Sequence, residues 1–349
     1  MKKTLTIILA LSLTITLFAQ QKVAPQRRIQ RNSPLIQRTQ SGFYGEIFGT
    51  YSYVVNEPQT LIPSKGTSGR NEFDLSRATL GYLHSFSREV SSSIAYDAST
   101  NYLQEGYIKV NNIIPMVGMS IGMMQTPSSE IVNRIWGYRS LNQSVINRFG
   151  YAPEFDAGIQ WHVNMDQRGS VYANVMAGNG TGMFSDTDKN KKLYLNVGDW
   201  FDRSNVVELY VDYENVGSGK NTITGKITYG LMQPHFSLGV EGFYRMNRKF
   251  AGTKDVVPAG GSIFTWFDMA RTVRGVIRVD GVDNDLNQAA LGVREVYINA
   301  GIDYRPASAV HLIPNVVYVT QLKKGGVTIV NADTIIARLT AAVSFSDFR

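Results

Sequence analysis

Hydrophobic and polar residues alternate one for one along most of this chain, in segments set between clusters of turn residues. In the first segment Phe43, Gly45, Ile47, Gly49 and Tyr51 share one face, with Glu46, Thr50 and Ser52 on the other. Farther on, Ile223, Gly225, Ile227, Tyr229 and Leu231 alternate with Thr222, Thr224, Lys226 and Thr228. The last segment is the cleanest, Ile335, Ala337, Leu339, Ala341, Val343 and Phe345 opposing Arg338, Thr340, Ser344 and Ser346. Successive side chains of a strand point to opposite faces, so a period of two marks strands with one apolar and one polar face. Sixteen such segments are expected, at 42–54, 72–86, 89–99, 103–111, 116–125, 156–163, 169–178, 191–199, 206–214, 221–231, 235–246, 261–268, 271–280, 293–304, 309–319 and 334–346. Between Phe73–Leu75 and Ala78–Leu80–Tyr82 the apolar parity flips, which predicts a β-bulge.

The gaps between segments mostly alternate between long and short, with an exception after the third segment. Barrels of the outer membrane have long external loops, short periplasmic turns and both termini on the periplasmic side. The order seen here places both ends of the barrel on the short-turn side. The fold class expected is therefore all-β: a transmembrane antiparallel up-and-down β-barrel of about 16 strands. Lipid offers backbone groups no partner, so a sheet crosses it only as a closed cylinder, apolar outside and polar inside. Charged residues expected to face inward include Glu46, Asp97, Lys109, Lys226, Glu241, Arg274, Arg278 and Arg338. A barrel of this strand number encloses an aqueous channel.

The N-terminal residues set the compartment. Lys2 and Lys3 precede a nearly unbroken apolar run from Leu5 to Phe18, followed by Ala19 and Gln20. This reads as a secretory signal peptide over 1–20, too short for a spanning helix. Residues 21–41 are rich in Gln, Arg and Pro without periodicity and read as a flexible periplasmic tail, leaving 42–349 for the barrel. The formal charge of +7 lies in these first segments, because residues 1–41 hold seven basic and no acidic residues. Beyond them basic and acidic residues balance at 28 each, so the folded part gives no sign of binding nucleic acid. The chain has no cysteine, which excludes a lipoprotein anchor, disulfides and thiolate metal sites. The localisation expected is the outer membrane of a Gram-negative bacterium, with outer-membrane lipid as the surrounding partner.

The longest connection, Thr126 to Phe155, is also the third on the extracellular side, and it carries Ile135, Trp136, Tyr138 and Phe149. Such residues fit a loop folded into the barrel better than a solvated tip. The residues expected to line the narrowed pore are Arg134, Arg139, Arg148 and Glu130 from this loop, with Arg77, Lys109, Arg274, Arg278 and Arg338 from the wall.

Constellations with other chemistry fail on their spacing. The four histidines, His84, His162, His235 and His311, are scattered. His235-Phe236-Ser237 has the outline of an outer-membrane phospholipase motif, but Leu238 stands where that motif has Asn. Asp280, Asp283 and Asp285 lack the ligand spacing of a calcium loop, and Gly217-Ser218-Gly219-Lys220 lacks the first Gly and the final Ser or Thr of a phosphate loop. No enzymatic activity, cofactor or metal is expected.

Several blocks resemble a known family. Phe73-Asp74-Leu75-Ser76-Arg77-Ala78-Thr79-Leu80-Gly81-Tyr82 resembles a strand of the phosphate-selective porins of the O/P type. Asp156-Ala157-Gly158-Ile159-Gln160, Gly178-Asn179-Gly180-Thr181-Gly182, Arg278-Val279-Asp280 and Ala300-Gly301-Ile302-Asp303-Tyr304-Arg305-Pro306 resemble later blocks of that superfamily, in the same order. The leader ending Leu17-Phe18-Ala19-Gln20 looks like those of the Bacteroidetes group. The resemblance implies a homotrimeric 16-stranded porin. That family builds anion sites from clustered Arg and Lys, whereas the loop here sets Arg134, Arg139 and Arg148 against Glu130 and Glu154. The function expected is passive diffusion of small hydrophilic or anionic solutes, with a weak anion preference. The alternative is a surface adhesin or receptor barrel with an occluded lumen.

Overall fold

Alternate apolar side chains suit a sheet that faces lipid on one side, and the chain forms almost nothing but strands. A computed structural model describes residues 41–56, 71–287, 293–323 and 333–348. The leader expected over 1–20, and all of the tail over 21–41 except Ser41, lie outside them. The strands are β1 (Gly42–Asn56), β2 (Asn71–Ser85), β3 (Val90–Asp97), β4 (Tyr102–Ile114), β5 (Val117–Gln125), β6 (Phe155–Asn164), β7 (Val171–Gly178), β8 (Lys192–Trp200) and β9 (Asn205–Gly217). They continue as β10 (Lys220–Gln233), β11 (Phe236–Ala251), β12 (Lys254–Val256), β13 (Ala259–Ala270), β14 (Val273–Asp283), β15 (Val293–Ala307), β16 (Val310–Lys323) and β17 (Asp333–Ser346). Each expected segment is a strand of the wall.

Every wall strand pairs antiparallel with its neighbours in sequence, and β1 closes on β17, Tyr44 lying opposite Ser346 and Tyr53 opposite Ala337. The three-residue β12 pairs only with the end of β11, which pairs directly with β13. The wall therefore has sixteen strands. The expected bulge is present. Phe48 faces Arg77 and Gly49 faces Leu75, so Ser76 is the extra residue. It lets Leu75 and Leu80 both point outward while Arg77 turns in. The connections at one end, 86–89, 115–116, 165–170, 201–204, 234–235, 271–272 and 308–309, are all short, and the 29-residue stretch 126–154 lies at the other.

The two faces divide as the pattern demands. On β10 Ile227 is 53% exposed on the outside, while Lys226 and Thr228 are buried inside. Phe43, Ile94, Leu209, Ile263 and Val316 continue the outward apolar surface on other strands. With every strand paired on both edges, the ladder satisfies the backbone around the circumference, which is the condition for crossing a bilayer. One local break has a chemical cause. Pro314 on β16 has no N–H to donate, and the β15–β16 ladder skips from Gly301 opposite Asn315 to Tyr304 opposite Leu312.

The face assignment is testable by substitution. Ile263→Arg puts a charge in the lipid-facing row of β13 and is expected to lower stability by about 2–4 kcal/mol if near the midplane. Reversible urea unfolding in lipid vesicles measures this; an unchanged midpoint would mean that the residue does not face lipid.

Candidate functional site

The stretch 126–154 does not project from the barrel. It contains two short helices, α1 (Glu130–Trp136) and α2 (Val145–Arg148), and most of its apolar side chains are buried. In α1 the spacing of Ile131, Val132, Ile135 and Trp136 brings four apolar side chains into one cluster with Tyr138 and Leu141 from the same stretch and Phe264, Val276 and Ile313 from the wall. Gly137 ends the helix in the left-handed conformation at φ 67°, its N–H bonded to the Asn133 carbonyl. Gly230 on β10 makes room for α1, because a Cβ there would collide with the side chain of Ile135.

Inward-facing wall residues hold this stretch along its length, many of them by its backbone carbonyls. Lys226 Nζ donates to the Ser128 carbonyl at 2.6 Å, and Ser237 Oγ to that of Ile135 at 2.7 Å. Arg338 Nη2 reaches the Leu141 carbonyl at 3.2 Å. Lys192 Nζ and Arg245 Nη1 share the Tyr151 carbonyl at 2.9 and 2.6 Å. Wall carboxylates take the donors: Glu241 accepts from the Val145 N–H at 2.9 Å, Asp303 from the Tyr138 hydroxyl at 2.7 Å, and Glu295 from Arg148 Nη1 at 2.7 Å. These partners lie on β8, β10, β11, β15 and β17, while the stretch itself leaves from β5 and returns to β6. It can meet all of them only by crossing the bore. A carbonyl removed from water needs a donor, and bonds from charged donors are the stronger kind.

Two clasps secure the root of the stretch. Glu154 accepts from Asn133 Nδ2 at 2.8 Å, is bound in bidentate fashion by Arg139, and lies 3.7 Å from Arg77. Burial opposes ionisation of Glu154, but the Arg139 and Arg77 guanidiniums outweigh it and hold the carboxyl below its ordinary range. Asp156, fully buried, accepts from the Gly180 N–H at 2.7 Å and the Tyr194 hydroxyl at 2.7 Å. Two blocks that carried the family resemblance, at Asp156 and at Gly178–Gly182, therefore meet in space.

The residues expected to line a pore separate into groups. Arg139 and Arg77 belong to the Glu154 clasp. Arg148 pairs with Glu295 and lies between the rings of Phe149 and Tyr297. Arg134 stacks on Trp200 with 4.8 Å from its guanidinium to the ring centroid, and Glu130 is exposed at the start of α1. Lys109 is half-buried on β4. Arg278 is wholly buried between Asp280 and Glu241, under α1 and Trp136. Arg274 sits near the short turn 271–272, in a cluster with Asp268, Arg305 and Trp266 and beside Tyr138 of the stretch. Arg338 and Arg148 border an open cavity of about 330 Å³ between the stretch and β1, β2 and β15–β17.

Sequence reasoning missed Lys192, Arg245, Ser237 and Asp303 as anchors. Inward parity alone marks such residues as facing the bore, but a period of two does not say which of them meet the loop. The two helices also went unforeseen, although Ile131, Val132, Ile135 and Trp136 stand at helical spacing. The phospholipase-like pair is structural: Ser237 is committed to Ile135, the exposed His235 pairs with Asp268 at 3.1 Å, and no hydrogen bond joins His235 to Ser237 among the described residues.

A closed barrel of sixteen antiparallel strands, apolar outside and charged within, its bore crossed by an anchored stretch, is the fold of the outer-membrane porins. Comparison with solved structures agrees. The anion-selective porin of Comamonas acidovorans aligns with a TM-score of 0.65 at 11% identity, over 88% of this chain and 100% of that one. OprB of Pseudomonas putida gives 0.66 at 10% identity, over 88% and 94%. The trimer form of OmpT, an outer membrane protein of Vibrio cholerae, gives 0.65 at 12% identity, over 87% and 99%. No family model and no curated protein matches the sequence. The chain has the fold of a porin-type β-barrel.

Two outcomes follow from the anchoring. Gly230→Val should unseat α1 and cost about 1–3 kcal/mol of overpacking, read as a lower urea midpoint. Glu154→Gln should loosen the root and speed limited tryptic cleavage after Arg139 and Arg148. Since the folded Glu154 carboxyl ionises below its ordinary range, its stabilisation is complete above that range and lost as pH falls through the depressed value. The stability difference between wild type and Glu154→Gln should accordingly shrink in acid; a difference constant from neutral pH to pH ~3 would exclude the ionised clasp.

Proposed function

We propose that the protein is a diffusion channel that passes small hydrophilic solutes across the outer membrane. The observation that carries this reading is the polar bore, narrowed by the 126–154 stretch yet still holding open space beside it. An apolar outer wall, a charged inner wall and an anchored constriction have a common physical consequence: water-soluble molecules below a size limit cross passively. The N-terminal signal peptide over 1–20 and the periplasmic tail over 21–41 complete the exported chain in this reading, and the channel works as a homotrimer, the assembly implied by the resemblance to the phosphate-selective O/P porins.

Selectivity depends on which charges remain unpaired. Arg77, Arg139, Arg148, Arg274 and Arg278 each pair with a carboxylate, which removes most of the basic field expected from composition. Lys109, Arg134 and Arg338 form no ion pair among the described residues, and a weak anion preference rests on these three. Asp74, Glu105 and Glu130 also lack an ion pair there and face the same bore, which keeps any preference small. Among the described residues no ladder of cations of the kind that selects phosphate is assembled.

Single-channel conductance of folded protein in planar bilayers, with reversal potential under a salt gradient, tests the reading. Stepwise openings with a slight anion bias are expected, and replacing Lys109, Arg134 and Arg338 together by Gln should turn the bias cationic. A cationic bias in the wild type would remove the anion preference and keep the channel. Absence of conductance from folded barrel would overturn the channel itself. Arg278→Gln should instead act on folding, since it takes from the buried Asp280 and Glu241 the guanidinium they share, at a cost of up to about 3–5 kcal/mol.

A further inference from the structure

The rim at the end of the barrel where the 126–154 stretch lies carries a group of cations that the bore does not use. The hairpin of β9 and β10 turns there at 218–219, and β11 ends beside it. On the outer face of these strands Tyr213, Ile223 and Met246 form one row, and Asn215, Asn221 and Arg248 form the next row toward the rim. Arg248 is exposed and shares the outward parity of Tyr244 and Met246, while Arg245 and Asn247 are buried inside. Strict alternation would turn Lys249 inward after them. It takes φ 58° instead, and its ammonium lies over Gly219 of the hairpin, 3.8 Å from where a Cβ there would stand. Lys220 Nζ lies 5.6 Å from the ring centroid of Phe250, and Lys254 is opposite Ala251.

Lys220, Arg248, Lys249 and Lys254 are thus gathered around one hairpin, and none of them forms an ion pair among the described residues. Arg248 Nε has only a long contact of 3.5 Å to Met246 Sδ. The carboxylates closest in sequence are engaged: Glu214 lies 3.6 Å from Lys192, and Asp255 accepts the Lys249 backbone N–H at 2.9 Å. The lipid-facing band sets the level of these cations. On β11 it runs outward from Phe236 to Met246, ten residue steps. At ~3.4 Å per step and a strand tilt of ~40° this gives about 26 Å, close to the height of the apolar band of such barrels. Arg248 is the next outward residue, so the group stands where acyl chains give way to headgroups. Tyr213 and Tyr244 lie exposed just below it, as aromatic residues do at that boundary.

We propose that this rim binds the phosphate groups of anionic lipids in the adjoining leaflet. The guanidinium of Arg248 offers a planar fork that matches phosphate oxygens, and the three ammonium groups act as point charges around it. Lys and Arg held beside a negatively charged lipid surface each strengthen attachment several-fold. The direction of Arg248 selects the occupant. Its parity turns it away from the bore, so a solute in the channel does not meet it, and a phosphate beside it belongs to a lipid whose acyl chains lie along Met246 and Tyr244. The proposal goes beyond the channel reading, since it concerns the outer surface and holds whether or not the bore conducts.

The test is electron spin resonance of the folded full chain in phosphatidylcholine vesicles that carry a trace of spin-labelled phosphatidic acid or spin-labelled phosphatidylcholine. The fraction of label immobilised at the barrel surface is read for each. Phosphatidic acid is expected to be selected by about threefold, and the selection should weaken with salt. Combining Lys220→Gln, Arg248→Gln, Lys249→Asn and Lys254→Gln should bring the two labels to parity; Asn tolerates the positive φ at 249. Neutralising Arg88, Arg168 and Arg203, exposed at the short-turn rim, should leave the selection in place. Gel migration of unheated samples checks that each variant is folded, and Arg248→Gln with Lys254→Gln, which should lower the selection in part, serves if the fourfold variant does not fold. Equal immobilisation of both labels by the wild type overturns the proposal, as does a selection that the fourfold variant, or its substitute pair, keeps in full. Displacement by inorganic phosphate, beyond that by chloride of equal ionic strength, would mark a site for the free ion and overturn the assignment to lipid.

Discussion

Every other feature of this molecule follows from the refusal of lipid to hydrogen-bond a peptide group. A strand in a bilayer must be paired on both sides, so the sheet closes, β1 on β17. Closure fixes which way each side chain points, and alternation then sends the apolar half outward and the polar half into a bore too wide for wall side chains to fill. The charged residues of this protein are thus confined with one another in a narrow space, where an unpaired charge costs much more than it does at an exposed surface.

The bore answers that cost by neutralising itself. Arg278 sits among Asp280 and Glu241, Lys192 near Asp212 and Glu214, Lys226 near Glu208. The same cations then use remaining donors to hold the stretch that narrows the bore: Lys226 takes the Ser128 carbonyl and Lys192 the Tyr151 carbonyl. The stretch contributes the converse, Glu154 for Arg139 and Arg77, and Arg148 for Glu295. Wall and stretch are in this sense one electrostatic unit. What is left over beside the open space is Arg338, held by neutral partners.

The wall was legible in the sequence because its rule is strictly local. Parity alone placed all sixteen strands, and its reversal between Leu75 and Ala78 located the bulge at Ser76 to within a residue or two. The site was legible only in outline. The apolar content of 126–154 suggested that it turns inward, but which charges it would meet depends on contacts such as Tyr138 with Asp303, 165 residues apart. Arg278 and Arg338 have equal inward parity, yet one is sealed under Trp136 and the other borders open space. Nothing in the spacing distinguishes them, because the difference is set by where the stretch lies over the wall.

The claim on which the account turns is that the 126–154 stretch is fixed within the bore by the wall. Hydrogen–deuterium exchange of the folded protein in detergent measures this directly at the Val145 amide, bonded to Glu241, and the Asn133 and Gly137 amides of α1. The account predicts slow exchange, closer to that of the wall strands than to that of an exposed connection such as 186–191. Exchange of these amides as fast as that of the exposed connection would contradict it.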